Sequence, residues 1–234
     1  MDWVWSNLPQ IWDLTLAHIG LSIPAIVLGF VISVPLGYWA SRSRAARAVL
    51  LSAANIAYTI PAIALVVFVP VLIGARLLDP KNVIVGVTVY AVAVMVRSAA
   101  DAFASVSDAT RQSAVAQGFA PFQRFLRVEL PLAGPVLLAG IRVVSVSTIS
   151  LVTIGAFIGV DSLGSLFIDG FNRSFPTESA TGIIVVLILA AVFDVVIARI
   201  GALLMPWTTG RAGRITTGKR PERAAALDVP GSGA

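Results

Sequence analysis

The 234-residue sequence has no cysteine and a single histidine, His18. The first absence excludes disulfides, structural thiolate metal sites and cysteine nucleophiles. The second leaves His18 without a partner at ligand spacing, so no metal site is expected and His18 reads as a residue of the membrane–water interface. Charge is scarce too: 12% of residues are Asp, Glu, Lys or Arg, against roughly 25% in soluble domains. No G-x-x-x-x-G-K-[ST] loop occurs, so any ATP must be bound by another chain and no cofactor is expected here. With few carboxylates in the apolar runs, no nucleophile–base pair can be assembled, which argues against a membrane-embedded hydrolase. No catalytic residue is expected.

What is present is apolar surface. Hydrophobic residues make up 57% of the chain, and the mean hydropathy is +0.90. The expected fold class is all-α, a polytopic membrane protein of about five transmembrane helices. Residues 19–41 are uncharged and long enough to cross about 30 Å of hydrocarbon at 1.5 Å per residue. Residues 48–75, interrupted by Pro61 and Pro70, predict the second span. The third covers 82–96 and runs on to about 103, the fourth 134–159 and the fifth 179–206. Asp2 and Asp13 replace the basic start of a signal peptide, so the first span is expected to stay uncleaved. The predicted organisation is an extracellular segment 1–14, a transmembrane domain 15–206 and a disordered basic tail 207–234.

Orientation follows from the basic residues. With the N-terminus outside, the cytoplasmic flanks hold Arg42, Arg44, Arg47, Arg97, Arg111, Arg124, Arg127, Arg142, Arg199 and five more in the tail, fourteen in all. Outside lie three, Arg76, Lys81 and Arg173. This bias predicts N-out, C-in, with the 104–133 loop in the cytoplasm, and it accounts for the net charge of +5 without nucleic acid.

That loop is the most informative stretch. Asp108 is placed to cap a short helix, Gly118 to end it, and a second short helix is expected from Ala120 or Pro121 to Val128. Phe122, Phe125 and Leu126 would share one side, with Gln123, Arg124 and Arg127 more exposed. Leu130-Pro131 is expected to break the chain before the fourth span. The run Gln112-Ser113-Ala114, three residues, Gly118, nine residues, Val128-Glu129-Leu130-Pro131 resembles the cytoplasmic EAA loop of ABC-importer permeases, E-A-A, three residues, G, nine residues, I-x-L-P. The departures are Gln112 in place of the acid and Ser113 in place of the first alanine.

The similarity extends over about residues 15–206. LSIPAIVLGFVISVPLG (21–37), NIAYTIPAIALVVF (55–68), LPLAGPVLLAGIR (130–142) and TIGAFIGVDSLGSLFIDG (153–170) look like permeases of osmoprotectant importers, which take up glycine betaine, choline, carnitine or related quaternary ammonium solutes. The resemblance implies a MetI-like type I fold in a bacterial inner (cytoplasmic) membrane. It implies a second permease, identical or homologous, an ABC ATPase and an extracellular solute-binding protein as partners, with the lipid bilayer as surroundings and no nucleic acid. The ATPase-docking residues it implies are Gln112, Ser113, Ala114, Gly118, Phe122, Leu130 and Pro131. Solute recognition in such systems sits on the binding protein, so the lack of an aromatic cage here is expected.

A few polar groups lie within the spans, where they are costly and hence candidates for function. Arg97, Arg142 and Arg199 fall near the cytoplasmic ends, where they can snorkel, and Arg97 stands four residues from Asp101, at pairing distance on a helix. Asp194 lies roughly 16 Å deep; it either pairs with Arg142 or Arg199 or lines the path of a cationic solute. Asn55, Tyr58 and Thr59 on the second span, and Ser145 and Thr148 on the fourth, either line a hydrated passage or act as small polar glue between helices. Residues 161–172 predict a short extracellular helix facing the binding protein. A secondary transporter or channel is the alternative reading, but neither inverted repeats nor further buried ionisable groups support it.

Overall fold

The structure is a computed structural model in which residues 2–209 are described. It is helical throughout these residues: α1 (Asp2–Ser6), α2 (Leu8–Ala40), α3 (Arg44–Thr59), α4 (Ala62–Ile73), α5 (Pro80–Ala104), α6 (Asp108–Ala116), α7 (Pro121–Arg124), α8 (Leu130–Val152), α9 (Gly164–Asn172), α10 (Pro176–Leu204) and α11 (Pro206–Thr209). A π turn, Phe125–Glu129, joins α7 to α8, and a 3₁₀ turn, Thr153–Ile158, follows α8. The tail expected to be disordered lies outside the described residues.

Four stretches are long and apolar enough to cross a membrane: Leu8–Ala40, Pro80–Ala104, Pro121–Ile158 and Pro176–Leu204. Three sequence expectations change. The second span is a pair of helices, α3 and α4, bent by 102°. Pro61 supplies no N–H and pushes Ile60 into extended backbone, φ −64° and ψ 130°, so α3 cannot continue. Leu130-Pro131 does not break the chain: helical backbone continues through it, from Pro121 to Ile158. The irregularity is absorbed one turn earlier, by the π turn. His18, read as an interfacial residue without a partner, is fully buried against α8, its Nε2 2.9 Å from the Ile149 carbonyl.

The centre of the bundle is α5, packed on α2, α8, α3 and α4. Helices in lipid gain little from hydrophobic burial against one another, so close backbone approach matters more. A Cβ on Gly29 would stand 2.6 Å from the Ala91 Cβ, and one on Gly37 would collide with Ala99. The matched steps, 29 to 37 and 91 to 99, show that α2 and α5 run in the same direction with small residues at the seam. Around the seam Val34, Met95, Phe103, Ala133, Leu137 and Val144 form a buried cluster.

Gly37→Val is therefore expected to force α2 from α5 and to destabilise the bundle by about 1–3 kcal/mol. Thermal unfolding of the detergent-solubilised protein measures this; an unchanged midpoint would remove the seam from the account.

Candidate functional site: a charge-clamped hairpin and a polar face on α3

The loop between α5 and α8 folds as a helix–turn–helix. Ser107 caps α6, its Oγ accepting from the Thr110 N–H at 3.1 Å, so the cap is Ser107 and not Asp108. Asp108 occupies the first turn and pairs with Arg111 at 2.8 Å. At the other end Gly118 adopts φ +83°, with Gly118 N–H donating to Val115 O and Phe119 N–H to Ala114 O. These two bonds satisfy the last carbonyls in the manner of a Schellman cap, which favours glycine at the left-handed position. A Cβ there would meet nothing within 4 Å, so the demand for glycine comes from the backbone alone.

The hairpin is fastened through one carboxylate. Glu129 is 0% exposed and its oxygens accept from Arg42 at 2.8 and 3.1 Å, Arg111 at 3.3 Å and Arg124 at 2.9 Å. Arg42 follows α2, Arg111 lies on α6 and Arg124 on α7, so the clamp joins three elements to the start of α8. Arg111 also donates to the Phe103 carbonyl at 2.5 Å, at the end of α5. Below, Tyr38 lies 4.4 Å under the Arg42 guanidinium and packs edge-on to Phe103 and Phe125 at 5.3 and 4.6 Å. Phe122, Phe125 and Leu126 consequently do not share one exposed side. Phe125 turns inward through the π turn, whereas Phe122 and Leu126 are 72% and 43% exposed. Arg124, expected to be exposed, is drawn in by Glu129.

The sequence-predicted hairpin residues divide in two. Gln112, Ser113 and Phe122 are displayed, beside exposed Val115. Ala114 is buried, Gly118 forms the turn, and Leu130 and Pro131 begin α8. A basic crease of about 370 Å³ opens between Arg42, Arg111, Gln112, Val115, Ala116 and Arg124. Glu129 itself was missed by sequence reasoning, although it is the lone acid in residues 112–131. A second buried carboxylate, Glu178 at the start of α10, is held by Arg173 at 2.5 Å and was also missed. It stands beside α9, which sits where the short helix of 161–172 was expected. The length of α8, about 35 Å at 1.5 Å per residue, separates it from the hairpin.

Inside the spans, Asp194 receives both Nε and Nη2 of Arg142 at 2.7 Å, a bidentate pair that ties α10 to α8. Ser145 and Thr148 are 0% and 1% exposed, within the bundle, and Ser145 Oγ donates to the Arg142 carbonyl. Asn55, Tyr58 and Thr59 lie together on an exposed face of α3. Arg97 does not pair with Asp101 as expected. Asp101 is taken by Arg47, and Arg97 donates instead to Asn55 Oδ1 at 3.0 Å. Antiparallel packing of α3 along α5 brings these partners closer than the i,i+4 neighbour. No group of His, Cys, Asp or Glu suited to a metal occurs among the described residues.

A bundle of long apolar helices, with a clamped polar hairpin set between two of them, is the architecture of a polytopic membrane protein. The chain belongs to the family of binding-protein-dependent transport system inner membrane components, whose family model matches residues 33–210. It is 33% identical over 184 residues to the choline transport system permease protein OpuBB of Bacillus subtilis, covering 79% of this chain and 83% of that protein. It is 32% identical over 197 residues to the osmoprotectant import permease protein OsmW of Salmonella typhimurium, covering 83% and 91%. The fold matches a chain of the inward-facing MetNI methionine ABC transporter with a TM-score of 0.69 at 22% identity, over 87% of this chain and 98% of that one.

Glu129→Ala would leave three guanidiniums facing one another around an empty centre, and is expected to destabilise the hairpin by about 3 kcal/mol or more. Hydrogen exchange should show faster exchange in 108–130 than in α5; equal protection in variant and wild type would contradict the clamp.

Proposed function

We infer that this chain is the permease subunit of an ATP-driven importer and that, with a second permease, it forms the path for an osmoprotectant released by a solute-binding protein. The solute class is a quaternary ammonium compound such as glycine betaine, choline or carnitine. The observation that carries the reading is the hairpin: a rigid element fixed by Glu129 to α2, α6 and α7, displaying Gln112, Ser113 and Phe122 beside a basic crease. A docking element has to be stiff, because a loop that deforms cannot pass on a movement of its partner. The choline and osmoprotectant permeases among the relatives support the solute class.

In this reading the hairpin faces the cytoplasm and receives the ATPase, and the N-terminus lies outside with the α9 end, toward the binding protein. The basic-residue bias supports that orientation. Chemistry on ATP belongs to the partner, and this chain contributes no catalytic group. Its task is to alternate the path between two openings as the ATPase moves.

Affinity purification of the tagged chain from its native membrane tests the docking. Wild type is expected to retain an ATPase. Gly118→Arg is expected to lose it while still inserting, since an L-residue at φ +83° costs about 1–2 kcal/mol and adds a long cation at the turn. Retention by both would move docking elsewhere, and recovery of no ATPase with wild type in mild detergent would favour a secondary transporter.

A further inference from the structure

Helix α3 is unusual among the long helices in burying none of its residues. It runs antiparallel along the second half of α5 through three rungs. Arg47 pairs with Asp101, Arg97 donates to Asn55 Oδ1 at 3.0 Å, and Tyr58 meets Tyr90 edge-on with ring centroids 5.7 Å apart. The third rung is fixed at the elbow, because the Tyr90 hydroxyl donates to the carbonyl of Ile60, the residue before Pro61. Tyr90 is 5% exposed and Tyr58 56% exposed, so the first is a strut and the second presents its ring.

Two features of this face call for a ligand. Arg97 lies about 10 Å from the end of α5 and, among the described residues, has an amide and no carboxylate as its partner. The Arg97 side chain is exposed and bound to an amide oxygen only, so its guanidinium keeps donors for an anionic group beside Asn55. One turn along α3, the exposed Tyr58 ring offers its face to a cation. It stands beside the C-terminal carbonyls of α3, which the Pro61 stop leaves without helical partners. Asn55, which holds the Arg97 guanidinium, and Tyr58 are three apart on α3, where Cβ atoms stand about 5–6 Å apart, a reach suited to a small solute bearing both charges.

We propose that Tyr58 and Arg97 form a transit site on the permease for a zwitterionic quaternary ammonium solute, Tyr58 taking the alkylated ammonium and Arg97 the carboxylate. The assignment rests on the quaternary ammonium reading above and adds a specificity to it: betaine-type zwitterions engage both residues, whereas choline, lacking a carboxylate, engages Tyr58 alone. One open aromatic face, in place of a closed cage, suits a site that must release what it binds. Tyr90 acts as a positioning residue for the elbow.

The test is uptake of radiolabelled glycine betaine and choline by the complete transporter, purified with its ATPase and binding protein and reconstituted in liposomes. Arg97→Gln, which keeps a donor for Asn55, is expected to lower glycine betaine uptake about tenfold and to leave choline within about twofold. Tyr58→Leu is expected to lower both about tenfold, and Tyr58→Phe to keep both within about twofold. Arg97→Lys should retain most betaine uptake. Equal losses of both solutes in Arg97→Gln, or full uptake in Tyr58→Leu, would overturn the site. So would loss of ATPase recovery in Arg97→Gln or Tyr58→Leu, which would make the residues structural. A wild-type transporter that moves neither solute would refute the quaternary ammonium reading itself, and this assignment with it.

Discussion

Glu129 is a fully buried carboxylate, and the hairpin end of the molecule is arranged around its charge. A carboxylate taken out of water is tolerated when other groups replace its hydration shell, and here three guanidiniums do so from three elements. The converse holds as well: the three arginines would repel one another without the acid at their centre. Their mutual dependence fixes the orientation of the hairpin against α2, because removing one partner leaves the others uncompensated. The aromatic layer of Tyr38, Phe103 and Phe125 supplies the apolar floor beneath the clamp, and the π turn is the device that rotates Phe125 into it.

How much of this was legible in the sequence depends on whether the signal is local. Long uncharged runs revealed the spans because hydropathy is a property of a window, and α2, α5, α8 and α10 stand where apolar runs were found. The hairpin was legible for a similar reason, its cap, glycine and proline following one another over about two dozen residues. The bend at Ile60-Pro61 was not read. Pro24, Pro35, Pro70 and Pro135 all lie inside helices that continue through them, so a proline in an apolar run does not by itself tell a kink from a stop. The pairings were least legible. Arg42 and Glu129 are 87 positions apart, and a sequence reading that uses arginines to count sidedness has no means of seeing which acid each one meets. The expected Arg97–Asp101 pair failed on the same ground: proximity along one helix was outweighed by a neighbouring helix that brought Arg47 and Asn55 closer. Asp194 succeeded because depth alone demanded a partner, and Arg142 was within reach.

The two ends of the molecule solve the same problem with the same chemistry. Glu178 at the start of α10 is buried and held by Arg173, as Glu129 before α8 is held by its arginines. Glu178 lies in the first turn of α10, where the helix dipole also favours negative charge, whereas Glu129 lies within the continuous helical run Pro121–Ile158 and is compensated by its arginines. Between the ends, the Arg142–Asp194 pair joins α8 to α10. These charged contacts fix the register of helices that small residues allow to approach closely. Seams of glycine and alanine permit sliding, and point charges at defined depths oppose it.

The clamp and the α3 face are joined by a connection of three residues, 41–43. Arg42 binds Glu129, Ser43 caps α3 through its hydroxyl and the Ala46 N–H, and α3 begins at Arg44. Any displacement of the hairpin that carries Glu129 also acts on Arg42, and with only Ser43 between Arg42 and the start of α3 there is almost no slack to absorb it. At its far end α3 stops at an elbow whose freed carbonyl is held by Tyr90 and whose last turn presents Tyr58. A rod fastened to the clamp at one end and to a bend at the other is suited to converting movement at the hairpin into movement of the face where the solute is proposed to pass.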